Sequence, residues 1–131
     1  MNTKKSIQVL FGAAAVYDGV LGIVFIFLPG LIFSLFQVTP PNHMGYVQFP
    51  AALLIVFALL FVAIARQPKE NRTLIPYGIL LKVSYCGVVF WHWFTAGIPG
   101  MWKPFAVIDI IMGILFFLAY LQLGKEELQN E

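Results

Sequence analysis

A chain of 131 residues with 60% hydrophobic and only 11% charged side chains differs from soluble domains, in which about a quarter of the residues are charged. The formal net charge of +2 is small, and no basic stretch is interleaved with aromatic residues, so nucleic acid is excluded as a partner. The composition predicts an integral membrane protein with the lipid bilayer as its main partner.

Four apolar stretches each approach or exceed the ~20 residues that a helix needs to cross a ~30 Å hydrocarbon core. Only three short connections and two short tails remain, which leaves no room for a soluble domain. The pattern predicts one transmembrane domain, residues 1–131, with an all-α fold: an antiparallel, left-handed four-helix bundle. The predicted spans are 7–28, 46–65, 74–96 and 102–123.

The first span carries an acid among small residues. Glycine and alanine lie one turn from Asp18 on either side, which lets a neighbouring helix come close and predicts that Asp18 faces protein. Pro29 and Gly30 then end or kink the helix. Residues 31–36 are too few to cross again, so they predict either an interfacial turn of helix or a shallow re-entrant segment.

The second and third spans are joined by the short polar connection 66–72, which predicts that they are neighbours. Thr73 is a candidate N-cap for the third helix, with Pro76 in its first turn. At the other end of the chain, residues 124–131 are predicted to be a solvated tail.

The third span contains a lysine, Lys82, near its centre. An isolated lysine there costs roughly 3 kcal/mol, so its presence predicts a partner, a cavity or a function. Asp18 and Asp109 are the obvious partners, because a rise of about 1.5 Å per residue brings all three within about two turns of the same depth. We predict that Lys82 pairs with Asp18, with Asp109 or with both. A bound cation or a protonated aspartate would offset the second acid.

Helical spacing extends this polar centre toward the outer surface. One face of the third span holds Lys82, Tyr85, Cys86, Val89, His92 and Trp93. Together with Gln48 of the second span, His92 predicts a polar cleft that opens outward with Lys82 at its floor. Two alternatives remain open: His92 as an interfacial residue bonded to water or headgroups, and the ion set as a structural pair that fixes the helices. The candidate ligand-binding or ion-pathway residues are Lys82, Asp18, Asp109, Tyr85, His92 and Gln48.

Other chemistries find no support in the sequence. It contains no glycine-rich phosphate loop, no metal-ligand spacing of histidines or cysteines, and no Ser-His-Asp set at a common depth. The single cysteine, Cys86, excludes an intramolecular disulfide. We therefore predict no catalytic residues, no metal and no cofactor, and the interpretation favours a non-enzymatic protein.

Basic residues are distributed unevenly between the two predicted sides of the membrane. The opposite loops offer only Lys103, so the positive-inside rule predicts that both termini are cytoplasmic. The residues that would share the cytoplasmic side are Lys4, Lys5, Arg66, Lys69, Arg72 and Lys125.

Four short-looped spans, a first helix bearing Asp18 and glycines, and an exit at Pro29 and Gly30 resemble the DoxX-like small bacterial four-helix membrane proteins. The resemblance covers the whole architecture, and it implies a bacterial inner-membrane location. This chain departs from the family pattern at one point. It lacks the arginine that these proteins often carry early in the first helix, and Asp18 occupies that general region instead. Some relatives are accessory subunits of quinone-linked redox systems.

The leading interpretation is a membrane protein that binds or passes a small solute or a proton through the polar cleft. Lys82 would be the fixed cation, and Asp18 and Asp109 its titratable partners. The first alternative is an accessory lipid- or quinone-associated subunit of a membrane redox complex. The second is a purely structural assembly partner, in a homo-oligomer or with another membrane protein.

Overall fold

The computed structural model describes residues 2–131, and the regular structure in that range is all helical, as predicted. Four of the five α-helices, all except α2, are long and apolar enough to cross a membrane. Single 3-10 turns, Arg72–Leu74 and Gly100–Trp102, lead into α4 and α5. The helices are α1 (Thr3–Phe27), α2 (Pro29–Leu35), α3 (Gly45–Arg66), α4 (Ile75–Phe94) and α5 (Lys103–Gln129).

The break after the first long helix is where the sequence predicts it. Leu28 separates α1 from α2, and Pro29 begins α2 because its missing N–H costs nothing in a first turn. With seven residues, α2 is too short to cross a bilayer. Its buried residue Phe33 packs edge-on against the Trp102 ring at 6.1 Å, which holds α2 against the start of α5.

Two predicted helix ends are wrong. Thr73 is not an N-cap, because it lies inside the 3-10 turn; α4 begins at Ile75 with no side-chain cap, and Pro76 falls in its first turn as predicted. The predicted tail is helical as far as Gln129. Salt bridges explain this extension, since Glu126 and Glu127 pair with the basic residues of the connection between α3 and α4.

Close backbone contact joins α1 to α3. A Cβ atom added at Gly22 would come within 2.7 Å of both the Ala51 carbonyl oxygen and Ile55 Cγ1, so only glycine permits this approach. About one turn earlier on α1, Gly19 faces Ala58, which comes later on α3. The contacts run in opposite order along the two helices. The small residues of α1 therefore serve helix packing, as the sequence predicts.

The second closely packed pair is α4 with α5. The Cys86 thiol of α4 donates to the Ala106 carbonyl of α5 at 3.3 Å. Gly78 of α4 makes room for the Phe61 ring of α3, which would lie 2.6 Å from an added Cβ atom. The two pairs meet through a stack of aromatic rings in the core. Phe11 of α1 lies 4.5 Å from Phe116, measured between ring centroids, and Phe61 of α3 lies 5.2 Å from Phe116.

The two ends of the helix assembly differ in their side chains. We call the end with Phe25, Phe33 and Trp102 the connection end, since aromatic rings from α1, α2 and the α5 entry meet there. The opposite end, with Arg72 and Glu127, is the terminal end. The candidate site lies between the two ends.

Candidate functional site

Lys82 contacts both predicted acids. Its Nζ atom donates to Oδ1 and Oδ2 of Asp18 at 3.1 Å each and to Oδ1 of Asp109 at 3.0 Å. The ammonium therefore contacts three oxygen atoms on two carboxyl groups. The prediction of a three-residue ion cluster is confirmed, and we call these residues the Asp-Lys-Asp centre.

The centre is buried where three helices meet. The side chains of Lys82 and Asp18 are each 1% exposed, and that of Asp109 is 10% exposed. Aromatic rings close the space around the ammonium: the Tyr17 ring centroid lies 5.4 Å from Nζ and the Phe61 centroid 5.8 Å away. On α5, Gly113 lets that helix pass close to the Lys82 stem. Asp109 is therefore the member of the centre most open to its surroundings.

The charges of the centre do not balance. One ammonium and two ionised carboxylates sum to a net charge of −1, since +1 − 2 = −1. The other ionisable side chains around it are Tyr17 of α1 together with Tyr85 and Cys86 of α4, whereas α3 contributes the ring of Phe61. None of these groups supplies a second positive charge. Within residues 2–131, no other cation forms a salt bridge with Asp18 or Asp109.

Tyr85 lies next to the centre but is directed toward the connection end. Its hydroxyl donates to the Trp102 carbonyl at 2.9 Å, at the entry to α5. One residue along, the Cys86 thiol bonds to the same helix. Both contacts therefore hold α4 against α5 beside Lys82.

The structure does not bring His92 or Gln48 to the centre. His92 is exposed at the end of α4. Ten residues at about 100° each place it roughly 80° around the helix from Lys82, at the edge of the face that holds the lysine. Gln48 donates its side-chain N–H to the Ile26 carbonyl at 3.0 Å and so joins α3 to the end of α1. These positions leave the predicted polar cleft without its polar walls.

An apolar pocket of about 320 Å³ lies at the connection end instead. Leu21 in its wall is three residues after Asp18 on α1, and Phe105 is four residues before Asp109 on α5. The pocket is therefore about one helical turn from both acids. Its lining consists of Leu21, Val24, Phe25, Ile32, Phe36, Gly100, Met101, Pro104 and Phe105.

Tyr17 is the residue of this region that the sequence-based prediction missed. Its hydroxyl is buried, and it is the only such side-chain atom without a hydrogen-bond partner among residues 2–131. Its ring packs against the ring of Phe105 with centroids 6.4 Å apart. A tyrosine directly before an aspartate in an apolar helix is a pattern that could have predicted its position beside the centre.

No protein-family model, curated protein or solved structure matches this chain. Within residues 2–131, no three histidine, cysteine, aspartate or glutamate side chains group so that they could hold a metal ion. What the Asp-Lys-Asp centre can do chemically is to fix one cation between two acids, and to accept one further positive charge.

Proposed function

We propose that this chain is a multi-pass membrane protein, an antiparallel four-helix bundle, whose Asp-Lys-Asp centre binds and releases a proton. Large apolar side chains face outward along its helices, including Leu59 at 66%, Phe27 at 74% and Phe94 at 75% exposure. Such a surface suits contact with lipid. The reversed order of contacts between α1 and α3 supports the antiparallel arrangement.

A bacterial inner-membrane location with cytoplasmic termini is part of this proposal. Its support is the excess of basic residues at the terminal end, compared with Lys103 alone at the connection end. The break at Pro29 and the acid and glycines of α1 likewise support a DoxX-like relationship.

The charge imbalance of the buried centre is the observation that carries the proton-binding function. An uncompensated ionised group in a low-dielectric interior costs several kcal/mol. One proton shared by the two carboxylates would bring the net charge of the centre to zero. The greater exposure of the Asp109 side chain, 10% against 1% for Asp18, favours Asp109 as the exchanging acid.

Infrared difference spectroscopy of the protein in lipid nanodiscs, recorded across pH, tests this function. We expect a buried carboxylic acid band that grows as the pH falls and that Asp109→Asn removes, because the remaining Asp18-Lys82 pair is neutral. Glu127→Gln, at the exposed terminal end, is the matched control and should leave the band intact. A band that survives Asp109→Asn unchanged, or a folded parent protein that lacks it at every pH, would overturn the proposal.

Passage of the proton, or of a small solute, between the two sides of the membrane is the wider form of this proposal. Proton flux into liposomes, reported by a trapped pH-sensitive dye, measures it. A flux that is the same for the parent and for Lys82→Met would show that the centre is not on the path.

A structural role is the second candidate. The bond that favours it is the one from Lys82 to Asp18, because it links α4 to α1 and so joins the two closely packed helix pairs. A centre with only this role would be replaceable by apolar residues without functional loss. A structural role would be favoured if the infrared titration showed that neither acid of the centre takes up a proton while the protein stays folded.

A further inference from the structure

Three features follow one another from the connection end toward the middle of the helix assembly: the apolar pocket, the Tyr17 hydroxyl and the second carboxyl group of the centre. Phe105 connects them, because its ring lines the pocket and packs against the Tyr17 ring. The Lys82 ammonium in turn lies 5.4 Å from the Tyr17 ring centroid. Phe105 and Tyr17 therefore connect the pocket to the centre.

Each feature selects for a different part of a ligand. The pocket, with its apolar lining, selects an apolar body, and its volume of about 320 Å³ is at the lower end of the range for ligand sites, so that body must be small. The buried Tyr17 hydroxyl needs a hydrogen-bond partner, since leaving such a group unpaired costs about 1–3 kcal/mol. The centre without a bound proton has a net charge of −1, which selects a positively charged group and disfavours an anion.

We propose that this pocket binds a small hydrophobic ammonium ion, a protonated primary or secondary amine with an aromatic or aliphatic body. Its N–H group donates to the Tyr17 hydroxyl oxygen and faces Asp109, while the body lies against Phe25 and Phe105. For the head to reach the hydroxyl, the Phe105 side chain must rotate away from the Tyr17 ring. The inference rests on the excess carboxylate of the proposed function, because the ammonium ion and the proton neutralise the same charge.

A neutral apolar molecule satisfies only part of this site. It fills the pocket, but it leaves the Tyr17 hydroxyl unpaired and the charge of the centre uncompensated. A quaternary ammonium supplies the charge without an N–H donor. The site is therefore specific for a cation that can also donate a hydrogen bond.

Binding of phenethylammonium to the protein in nanodiscs of zwitterionic phosphatidylcholine, measured by saturation-transfer NMR against empty nanodiscs, tests the inference. The neutral comparison is 2-phenylethanol, which has nearly the same shape. We expect the ammonium to bind and Tyr17→Phe to weaken it about tenfold, as expected for a lost hydrogen bond to a charged group. Asp109→Asn should weaken it further. Tyr77→Phe is the matched control and should leave binding unchanged, because Tyr77 is exposed in the first turn of α4, toward the terminal end.

A second variant tests the pocket without touching the hydroxyl. Leu21→Phe adds volume to the pocket wall and should abolish ammonium binding while leaving the infrared titration of Asp109 intact. Equal binding of phenethylammonium and 2-phenylethanol, unchanged by Tyr17→Phe and Leu21→Phe, would overturn the inference. If Asp109 titrates and the ammonium does not bind, this inference alone fails. If Asp109 does not titrate, the proposed function fails as well.

Discussion

This molecule contains two networks of salt bridges. They use the same kinds of charged groups, but they differ in how much of each side chain is exposed to solvent. At the centre, Lys82 lies 3.0–3.1 Å from its carboxylate partners, whose side chains are 1% and 10% exposed. At the terminal end, Arg72 lies 3.3 Å from Glu127 and Lys69 lies 3.8 Å from Glu126, with side-chain exposures of 21–47%. Similar contacts therefore have very different energies, because water screens the second set and not the first.

The charge balance of the two networks also differs. The terminal end pairs two cations with two anions, as a solvated surface allows, whereas the centre has two anions for one cation. An imbalance is inexpensive in water and costly in the core of the assembly. The difference is the basis of our proposal that the second acid of the centre binds a proton.

The largest expected effect comes from Lys82→Met. This change leaves two buried carboxylates without their cation, and removing one partner of a buried pair typically costs about 3–5 kcal/mol. We expect a large fall in the melting temperature, measured by circular dichroism in nanodiscs. Lys125→Met, at an exposed position, is the control and should leave the melting temperature nearly unchanged.

A triple variant separates charge from packing in that experiment. Asp18→Asn and Asp109→Asn, added to Lys82→Met, remove every charge of the centre at nearly constant volume. Stability should recover most of the way toward the parent protein. A triple variant as unstable as Lys82→Met alone would show that the packing of the lysine, and not its charge, stabilises the core.

An intermediate effect is expected at Arg72, which has the least exposed side chain of the four charged residues in the terminal-end network. Its guanidinium carbon lies 4.0 Å from the Tyr120 ring centroid, and its Nε donates to the Tyr120 carbonyl at 3.0 Å. Gly124 leaves room for the guanidinium beside α5. We expect Arg72→Ala to cost about 1–2 kcal/mol, the sum of a cation–π contact and a hydrogen bond. Hydrogen exchange should accelerate in residues 124–129.

The Arg72→Lys variant tests what the arginine contributes beyond its charge. Lysine keeps the positive charge but lacks the planar fork that reaches Tyr120 and Glu127 together. Only partial protection of residues 124–129 is expected. Full protection would mean that charge alone holds the end of α5.

The smallest effect is expected for Lys69→Gln. The Lys69-Glu126 contact is long at 3.8 Å, and the Lys69 side chain is 46% exposed, so the loss should stay below about 1 kcal/mol. Salt sharpens the comparison of the two networks. Raising NaCl to about 1 M shortens the screening length to about 3 Å, which should erase the Lys69→Gln difference and leave the Lys82→Met difference in place. A salt-sensitive Lys82→Met difference would mean that water reaches the centre.

Depth along a helix could be predicted from the sequence, and this is why the Asp-Lys-Asp centre was found. Counting residues from the ends of apolar runs brought Lys82, Asp18 and Asp109 to a similar level, and a buried charge in an apolar span needs a partner. Hydropathy likewise predicted the four long helices, and Pro29 predicted the break between α1 and α2.

Direction around a helix could not be predicted with the same certainty. His92 is on the edge of the face that holds Lys82, and only the packing of α4 on α5 decides that it is exposed. The Gln48 side chain donates to the carbonyl oxygen of Ile26, close to the break between α1 and α2, and not to the centre. The helical end of α5 depends on salt bridges to residues more than 50 positions earlier, which no local pattern contains.

The order in which the chain is synthesised gives the bidentate bond between Asp18 and Lys82 a further consequence. These residues are 64 positions apart, whereas Asp109 follows Lys82 by 27 positions. During biogenesis α1 and α4 both leave the ribosome before α5, because synthesis proceeds from the N-terminus. A neutral ion pair can thus shield the lysine before α5 is made. Asp109, the second carboxyl group of the centre, arrives only with the last helix.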